Sequence, residues 1–270
     1  MKVLLTGYKG FIGKNILKTI ENEHQCFLIE KDSVEEYLNN IHTLNLAVEM
    51  CDVILHNGAI SDTSNENYKE IMFYNVYFTK KLIEISKKYN KKIIFASSAS
   101  IYGNSNYPQN LYAWSKMISE DYGRAFYPEG FTALRYFNVY GPHEEHKGNM
   151  SSVAYQAWRH LVKMNNGNLF SLFPKNPKRD FVYVKDVVSA NLKAIESPSG
   201  VYDVGSGDAR TFEDVLDLID IPYTYTDENI IPHWYQFFTQ SDKDKWLPNW
   251  KPEYNLEKGC KDYLNYLNEK

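Results

Sequence analysis

The sequence predicts a doubly wound α/β architecture: a parallel sheet between two helical layers, followed by a smaller C-terminal α/β lobe. Three features point there. Short apolar runs alternate with longer helix-period segments through the first half of the chain. A glycine-rich turn follows the first of those runs, and beyond about residue 148 the rhythm changes. Strands that read as unbroken apolar runs are buried on both faces, which is the mark of a parallel sheet covered by helices. With 270 residues there is chain enough for one large core or two modest ones, and we divide it at 1–147 and 148–270.

The runs KVLL (2–5), CFLIE (26–30), DVILHNGA (52–59), KIIFASS (92–98) and TALRYFNVYG (132–141) read as buried strands. Helical patterns lie between them near 13–22, 66–89 and 111–127. The stretch 31–51 is short for a full strand–helix unit, so one peripheral element is expected to be abbreviated. In the second part a helix over 150–165, ended by Gly167, precedes LFSLF and RDFVYV. A helix at 185–196, GVYDVGSG, another helix from 212 and a Trp/Pro-rich stretch complete the lobe.

A formal net charge of −4 gives no bulk attraction to nucleic acid, and KKYNKK (87–92) suits a helix C-terminus, where cations oppose the dipole. Cys26, Cys51 and Cys260 are odd in number and widely spaced, which suits a reducing compartment rather than a disulfide framework. The opening MKVLLTGYKG has too short an apolar run for a signal peptide, and no stretch is apolar enough to span a membrane. A cytoplasmic protein is expected, with partners neither in nucleic acid nor in membrane. The aromatic share is 15%, with 22 tyrosines, which hints at stacking surfaces or an aromatic core.

Chemistry enters at LLTGYKGFIG. Gly7 serves a tight turn, Gly10 lets the backbone approach a pyrophosphate, and Gly13 permits close helix–strand packing. This is a Rossmann-like arrangement for a dinucleotide. Glu30 ends the second strand, where a carboxylate accepts the ribose hydroxyls and repels a 2′-phosphate; it favours NAD, and Lys31 beside it offsets that repulsion. In YAWSK, Tyr112 and Lys116 are four apart and share one helical face. An ammonium about 4 Å from a phenol stabilises the phenolate by about 4 kcal/mol at an effective dielectric of 20. That predicts a Tyr112 phenol drawn from about 10 toward 7 and able to act as a base. Ser98, in ASSASIYG, is placed to hold a substrate hydroxyl in line.

In HEEHKGN (143–149), Lys147 is either an ordinary surface lysine or a residue facing substrate. His143 and His146 are three apart in a loop, unlike histidines four apart on one helical face, so no metal is expected from them with Glu144 and Glu145.

Together these motifs resemble the extended short-chain dehydrogenase/reductase family across essentially the whole chain. The resemblance implies oxidation and reduction of a nucleotide-sugar by NAD(P), with Ser98, Tyr112 and Lys116 catalytic and a homo-oligomeric assembly. It also implies that Phe11, Ile12, Asn57, Gly58, Ala59, Ser61, Asn75 and Val139 line the cofactor. The family's dehydratases carry an acidic pair after the catalytic serine or threonine; Ala99 and Ser100 stand there, so dehydration is not expected.

Within the family, RYFNVYGP, HKGNMSSVAY, KRDFVYVKDV, WYQFFTQSD and GAISDTS are similar to the ADP-glycero-manno-heptose 6-epimerase branch. That likeness implies Lys147 as a second acid/base, with Asn138, Asn149, Gln156, Arg179 and Tyr235 on the substrate. It also favours NADP, against Glu30, and the cofactor choice stays open. Gln156 stands where that branch usually has histidine, FPKNPKRD is shorter, and 31–51 lacks its cofactor-binding lysine. A UDP-hexose 4-epimerase, a nucleotide-sugar reductase and a non-catalytic NAD(P)-binding protein are the alternatives.

Overall fold

The computed structural model describes residues 1–103, 107–164, 169–228 and 236–269. Gly167 and Tyr235 lie outside them.

Six strands form one parallel sheet in the order β2-β1-β3-β4-β5-β9. They are β1 (Lys2–Thr6), β2 (Gln25–Ile29), β3 (Val53–His56), β4 (Lys92–Ser98), β5 (Phe131–Tyr136) and β9 (Gly200–Val204). Alternate side chains on each strand leave by opposite faces, so two cores result. Val3, Leu5, Val53, Leu55 and Ile94 meet Ile16 and Ile20 of α1 (Phe11–Ile20) and Val187 and Ala190 of α8 (Val184–Glu196). Leu4, Ile54, Ile93 and Phe95 meet the opposite layer. It comprises α2 (Lys31–Asn39), α3 (Ile41–Met50), α5 (Phe78–Lys88) and α6 (Leu111–Phe126). Burying each such Leu, Ile or Phe contributes about 1.5–3 kcal/mol.

The stretch 31–51, expected to be abbreviated, holds no strand; α2 and α3 fill it, with Val34, Leu44 and Val48 packed on the sheet. The chain departs from the sequence expectation in three places. The run 132–141 is not one strand. After Phe137 the chain leaves the main sheet, and β6 (Asn138–Tyr140) pairs instead with β8 (Lys178–Tyr183). The third strand stops at His56, so Asn57 and Gly58 turn out of the sheet. The helical stretch 66–89 is interrupted: α4 (Tyr68–Ile71) passes into a π-helical segment, Met72–Tyr77, before α5 resumes.

The second layer of structure surrounds its own aromatic core of Tyr140, Tyr155, Phe181, Tyr183 and Tyr263. A three-stranded sheet, β10-β8-β6, adds β10 (Ala209–Thr211), and a two-stranded one joins β7 (Phe170–Leu172) to β11 (Tyr223–Tyr225). Helices α7 (Val153–Met164), α9 (Phe212–Leu218) and α10 (Leu256–Asn268) flank them. The division at 147/148 does not coincide with this layering, because α8 and β9 return to the first core and sheet. Among the described residues no helix is long and apolar enough to cross a membrane.

Asp180, fully buried on β8, ties the return strand to the lobe. Its carboxylate accepts from the backbone and hydroxyl of Ser206 (2.5 and 2.8 Å), from Gly207 N–H (2.9 Å), and from the backbone and hydroxyl of Ser241 (2.8 and 2.7 Å). Removing a buried acceptor strands its donors. Asp180→Ala is expected to lower unfolding free energy by about 3 kcal/mol, read as a lower urea midpoint at unchanged slope. A loss below about 1 kcal/mol would show that water replaces the carboxylate.

Candidate active site

The strand ends set the site. Thr6 lies beside His56 in register, and Ser98 beside Tyr136, so the carboxyl ends of β1, β3, β4 and β5 open on one edge. A cleft of about 660 Å³ follows that edge. Ligands of open α/β sheets bind at such edges, where strand order reverses, here between β1 and β3.

The glycine turn fits a pyrophosphate. Gly7 has φ 70°, and a Cβ there would lie 2.6 Å from Gly58 Cα. A Cβ on Gly13 would lie 2.1 Å from the Gly7 carbonyl oxygen. Gly10 caps α1 with no side-chain acceptor, and the first turn carries no acid, so its N–H groups are left for an anion. Asn57 accepts from the Tyr136 hydroxyl at 3.2 Å, while its buried Nδ2 has no partner, a donor suited to a ligand oxygen.

Of the residues expected on the cofactor, Gly7, Gly10, Phe11, Ile12 and Gly13 line the cleft. Asn57, Ala59, Ser61 and Val139 line it as well. Glu30, Lys31 and Gly58 line an adjoining hollow of about 110 Å³, with Ala59 common to both. Asn75 does not face the cleft. Its buried amide donates to Ile60 C=O (2.9 Å) and Ser115 Oγ (2.9 Å) and accepts from Ile60 N–H (2.8 Å). It fixes the 58–61 turn and leaves no group for a ligand.

Helix α6 begins at Asn110, whose side chain accepts from Ala113 N–H at 2.9 Å. That cap puts Tyr112 in the first turn and Lys116 one turn on, and Ser98 joins them in the cleft. Lys116 is buried, with Nζ donating to Ala96 C=O at 2.7 Å, 4.7 Å from the Phe95 ring and 5.8 Å from the Tyr112 ring. Burial pushes its pKa down to about 7. Burial raises the Tyr112 phenol, with the Ser98 hydroxyl opposing. The expectation of a phenol drawn down by its lysine is therefore corrected. The ammonium is held by a carbonyl and carries only part of its charge near neutrality, so desolvation outweighs attraction.

Lys147 faces the cleft, not bulk solvent. It sits in a 3₁₀ turn, Glu145–Met150, with Nζ 5.5 Å from the Phe11 ring. Burial lowers its pKa while Glu144 opposes. Glu144 is fully buried and accepts from Gly141 N–H (3.3 Å), Ser152 N–H (2.5 Å) and Ser152 Oγ (2.6 Å), which staples both ends of the lysine segment. Its neighbours turn elsewhere: the Tyr266 hydroxyl meets His143 Nδ1 at 3.1 Å and Glu145 at 2.9 Å. Among the described residues no three His, Cys, Asp or Glu side chains could hold a metal.

Asn138 and Gln156 line the cleft. Gln156 Nε2 donates to the carbonyls of Asn149 (3.1 Å) and Ser151 (2.7 Å), so Asn149 braces the turn and does not line the cavity. Arg179 is not among the lining residues, and its guanidinium lies 5.9 Å from the ring of Phe212, which is. Sequence reasoning missed the aromatic side of the cleft, formed by Phe170, Phe173, Phe181 and Phe212. The aromatic share was its one signal.

The sequence pattern of the NAD dependent epimerase/dehydratase family matches residues 3–205. The chain belongs to that family. Its place among the extended short-chain dehydrogenase/reductases agrees with the solved structures it is similar to. ADP-L-glycero-D-manno-heptose-6-epimerase of Helicobacter pylori is 27% identical at a TM-score of 0.81, over 100% of this chain and 96% of that one. UDP-glucose 4-epimerase of Thermotoga maritima, solved with UDP-glucose, is 26% identical at 0.82, over 100% and 99%. UDP-N-acetylglucosamine 4-epimerase of Methanobrevibacter ruminantium is 26% identical at 0.83, over 99% and 98%.

A lysine pushed down to about 7 by burial makes the unfolded state the better proton binder between about pH 7 and 10. Stability contributed at Lys116 therefore rises with pH across that window. The stability of the wild-type protein relative to Lys116→Met is expected to climb from pH 7 to 10, measured by urea unfolding at each pH. A flat difference would mean that Lys116 stays charged when folded.

Proposed function

We propose that this chain inverts one carbinol centre of a nucleotide-sugar with a bound NAD(P), and that its substrate is ADP-glycero-manno-heptose, inverted at C6. The observation that carries the reading is that Tyr112 and Lys147, on separate elements, line one cleft. Where the carbonyl oxygen changes sides between the two orientations of an epimerised centre, a proton donor is needed for each, and a phenol on a fixed helix serves one of them. The dinucleotide, when bound by the glycine turn, supplies the hydride acceptor and donor. Tyr112 takes the hydroxyl proton in one orientation and returns it, with Ser98 holding the oxygen. Lys116 beneath the phenol offsets the developing phenolate. Lys147 exchanges the proton in the opposite orientation; its four-carbon stem suits a moving sugar. The phenylalanine wall offers the nucleotide base a stacking surface, with Asn138, Gln156, Arg179 and Tyr235 assigned to the substrate.

Within the same reading the protein is a cytoplasmic homo-oligomer, divided in function near 147/148. The likeness to a UDP-glucose 4-epimerase, at 26%, keeps UDP-hexose 4-epimerisation as the second reading. Incubation with ADP-D-glycero-D-manno-heptose is expected to give inversion at C6 by NMR. Turnover of a UDP-hexose without that inversion would establish the second reading instead.

Lys147→Met is expected to slow inversion by about 10²–10⁴ while Tyr112 still supports one half-reaction. A substrate analogue at the carbonyl level should then be reduced with a single stereochemistry. Both configurations at wild-type rate would return Lys147 to the status of a bystander.

A further inference from the structure

The hollow beside the glycine turn is lined by one carboxylate, Glu30, and by one ammonium side chain, Lys31. Glu30 accepts there from Lys9 N–H at 2.9 Å and Lys31 N–H at 3.1 Å. Lys9 belongs to the adjoining glycine turn, and the ammonium groups of Lys9 and Lys31 each lie against a carboxylate. Lys9 Nζ lies 3.9 Å from Asp32. Lys31 Nζ donates to Glu70 at 2.7 Å and rests 4.9 Å from the Tyr74 ring. Glu70 is in turn approached by Asn65 Nδ2 at 3.4 Å and follows the Asn67 cap of α4. Glu30 thus lines the hollow beside a lysine whose ammonium is already held by Glu70.

We propose that Glu70 is a specificity-determining residue for the cofactor: by tethering Lys31 it withholds the cation that a 2′-phosphate would need, and so selects the dinucleotide with a free 2′-hydroxyl. This rests on the dinucleotide reading of the cleft. A phosphate monoester carries about −1.5 to −2 at neutral pH. In the hollow it would meet Glu30 at close range, while the Lys31 ammonium lining the same hollow is held by Glu70. A ribose diol meets the same carboxylate as a hydrogen-bond acceptor. Neither Lys31 nor Glu70 is buried, so their pair adds little to folding, and altering it changes the charge at the rim without disturbing the core. Glu70 acts here as a positioning residue; it touches the lysine, not the cofactor.

Titration of the full chain with NAD⁺ and with NADP⁺ tests this. The wild-type protein is expected to prefer NAD⁺. Glu70→Gln should raise NADP⁺ affinity about five- to tenfold with NAD⁺ affinity unchanged within twofold, and added salt should erase the gain. Glu70→Gln with Lys31→Met should restore the wild-type ratio, because the gain runs through Lys31. A wild-type preference for NADP⁺, an unchanged ratio in Glu70→Gln, or a gain that persists in the double variant would each overturn the inference. Binding of neither dinucleotide would overturn the cofactor reading itself, which is a separate result.

Discussion

The cleft depends on one buried imidazole. His56, at the end of β3, is fully enclosed, and burial beside Lys116 holds its pKa down to about 3, so it is neutral. Its partners fix the tautomer. Thr79 Oγ1 gives its proton to Asn75 C=O at 2.7 Å, so it must accept from His56 Nε2–H at 2.8 Å. His56 Nδ1 then accepts from Thr6 Oγ1 at 2.6 Å, and Thr6 Oγ1 accepts from Gly58 N–H at 3.0 Å. Every proton in the chain has one place to go. The glycine turn, the 58–61 turn and the π-helical segment are thereby set relative to one another.

The same chain continues to helix α6, which carries Tyr112. Ser119 Oγ also donates to Asn75 C=O at 2.8 Å, and Ser115, which accepts from Asn75, donates to Tyr112 C=O at 2.7 Å. A π-helical turn opens the usual backbone pairing, and here the buried Asn75 carbonyl takes two hydroxyls. The glycine turn and Tyr112 are joined by hydrogen bonds whose loss would leave buried groups unsatisfied. That explains why Asn75 is buried instead of facing a ligand.

Beneath Ser98 a second buried set performs the matching task. Ser97 Oγ donates to Glu120 at 2.7 Å, and Arg135 binds that carboxylate through Nε (3.1 Å) and Nη2 (2.5 Å). Arg135 lies 4.7 Å from the Tyr102 ring, whose hydroxyl donates to Asp203 at 2.6 Å. Strands β4, β5 and β9 and helix α6 meet at these charges. A buried pair adds little net stability, yet removing one partner costs about 3–5 kcal/mol, so its geometry is strongly enforced. Serine and tyrosine are held from below by different networks, and Lys147 from the far side by Glu144. The site is assembled from elements distant in sequence, each pinned by a buried polar group.

The sequence by itself determined five strands of the sheet, the glycine turn and the shared helical face of Tyr112 and Lys116. These are encoded locally: apolar runs mark buried strands, a positive φ at Gly7 demands glycine, and a spacing of four puts two side chains on one helical face. Only the tertiary structure decided where Lys147 points, because whether a loop lysine faces solvent or cleft depends on what packs over it. It likewise decided the direction of the Tyr112 shift, since desolvation is a property of the surroundings and not of residue spacing. The phenylalanine wall and the inward turn of Asn75 were illegible for the same reason. So was the return of β9 to the first sheet, because a five-residue strand carries no mark of the sheet it will join. Local pattern names an element, and the partners that bury it assign its side chains their work.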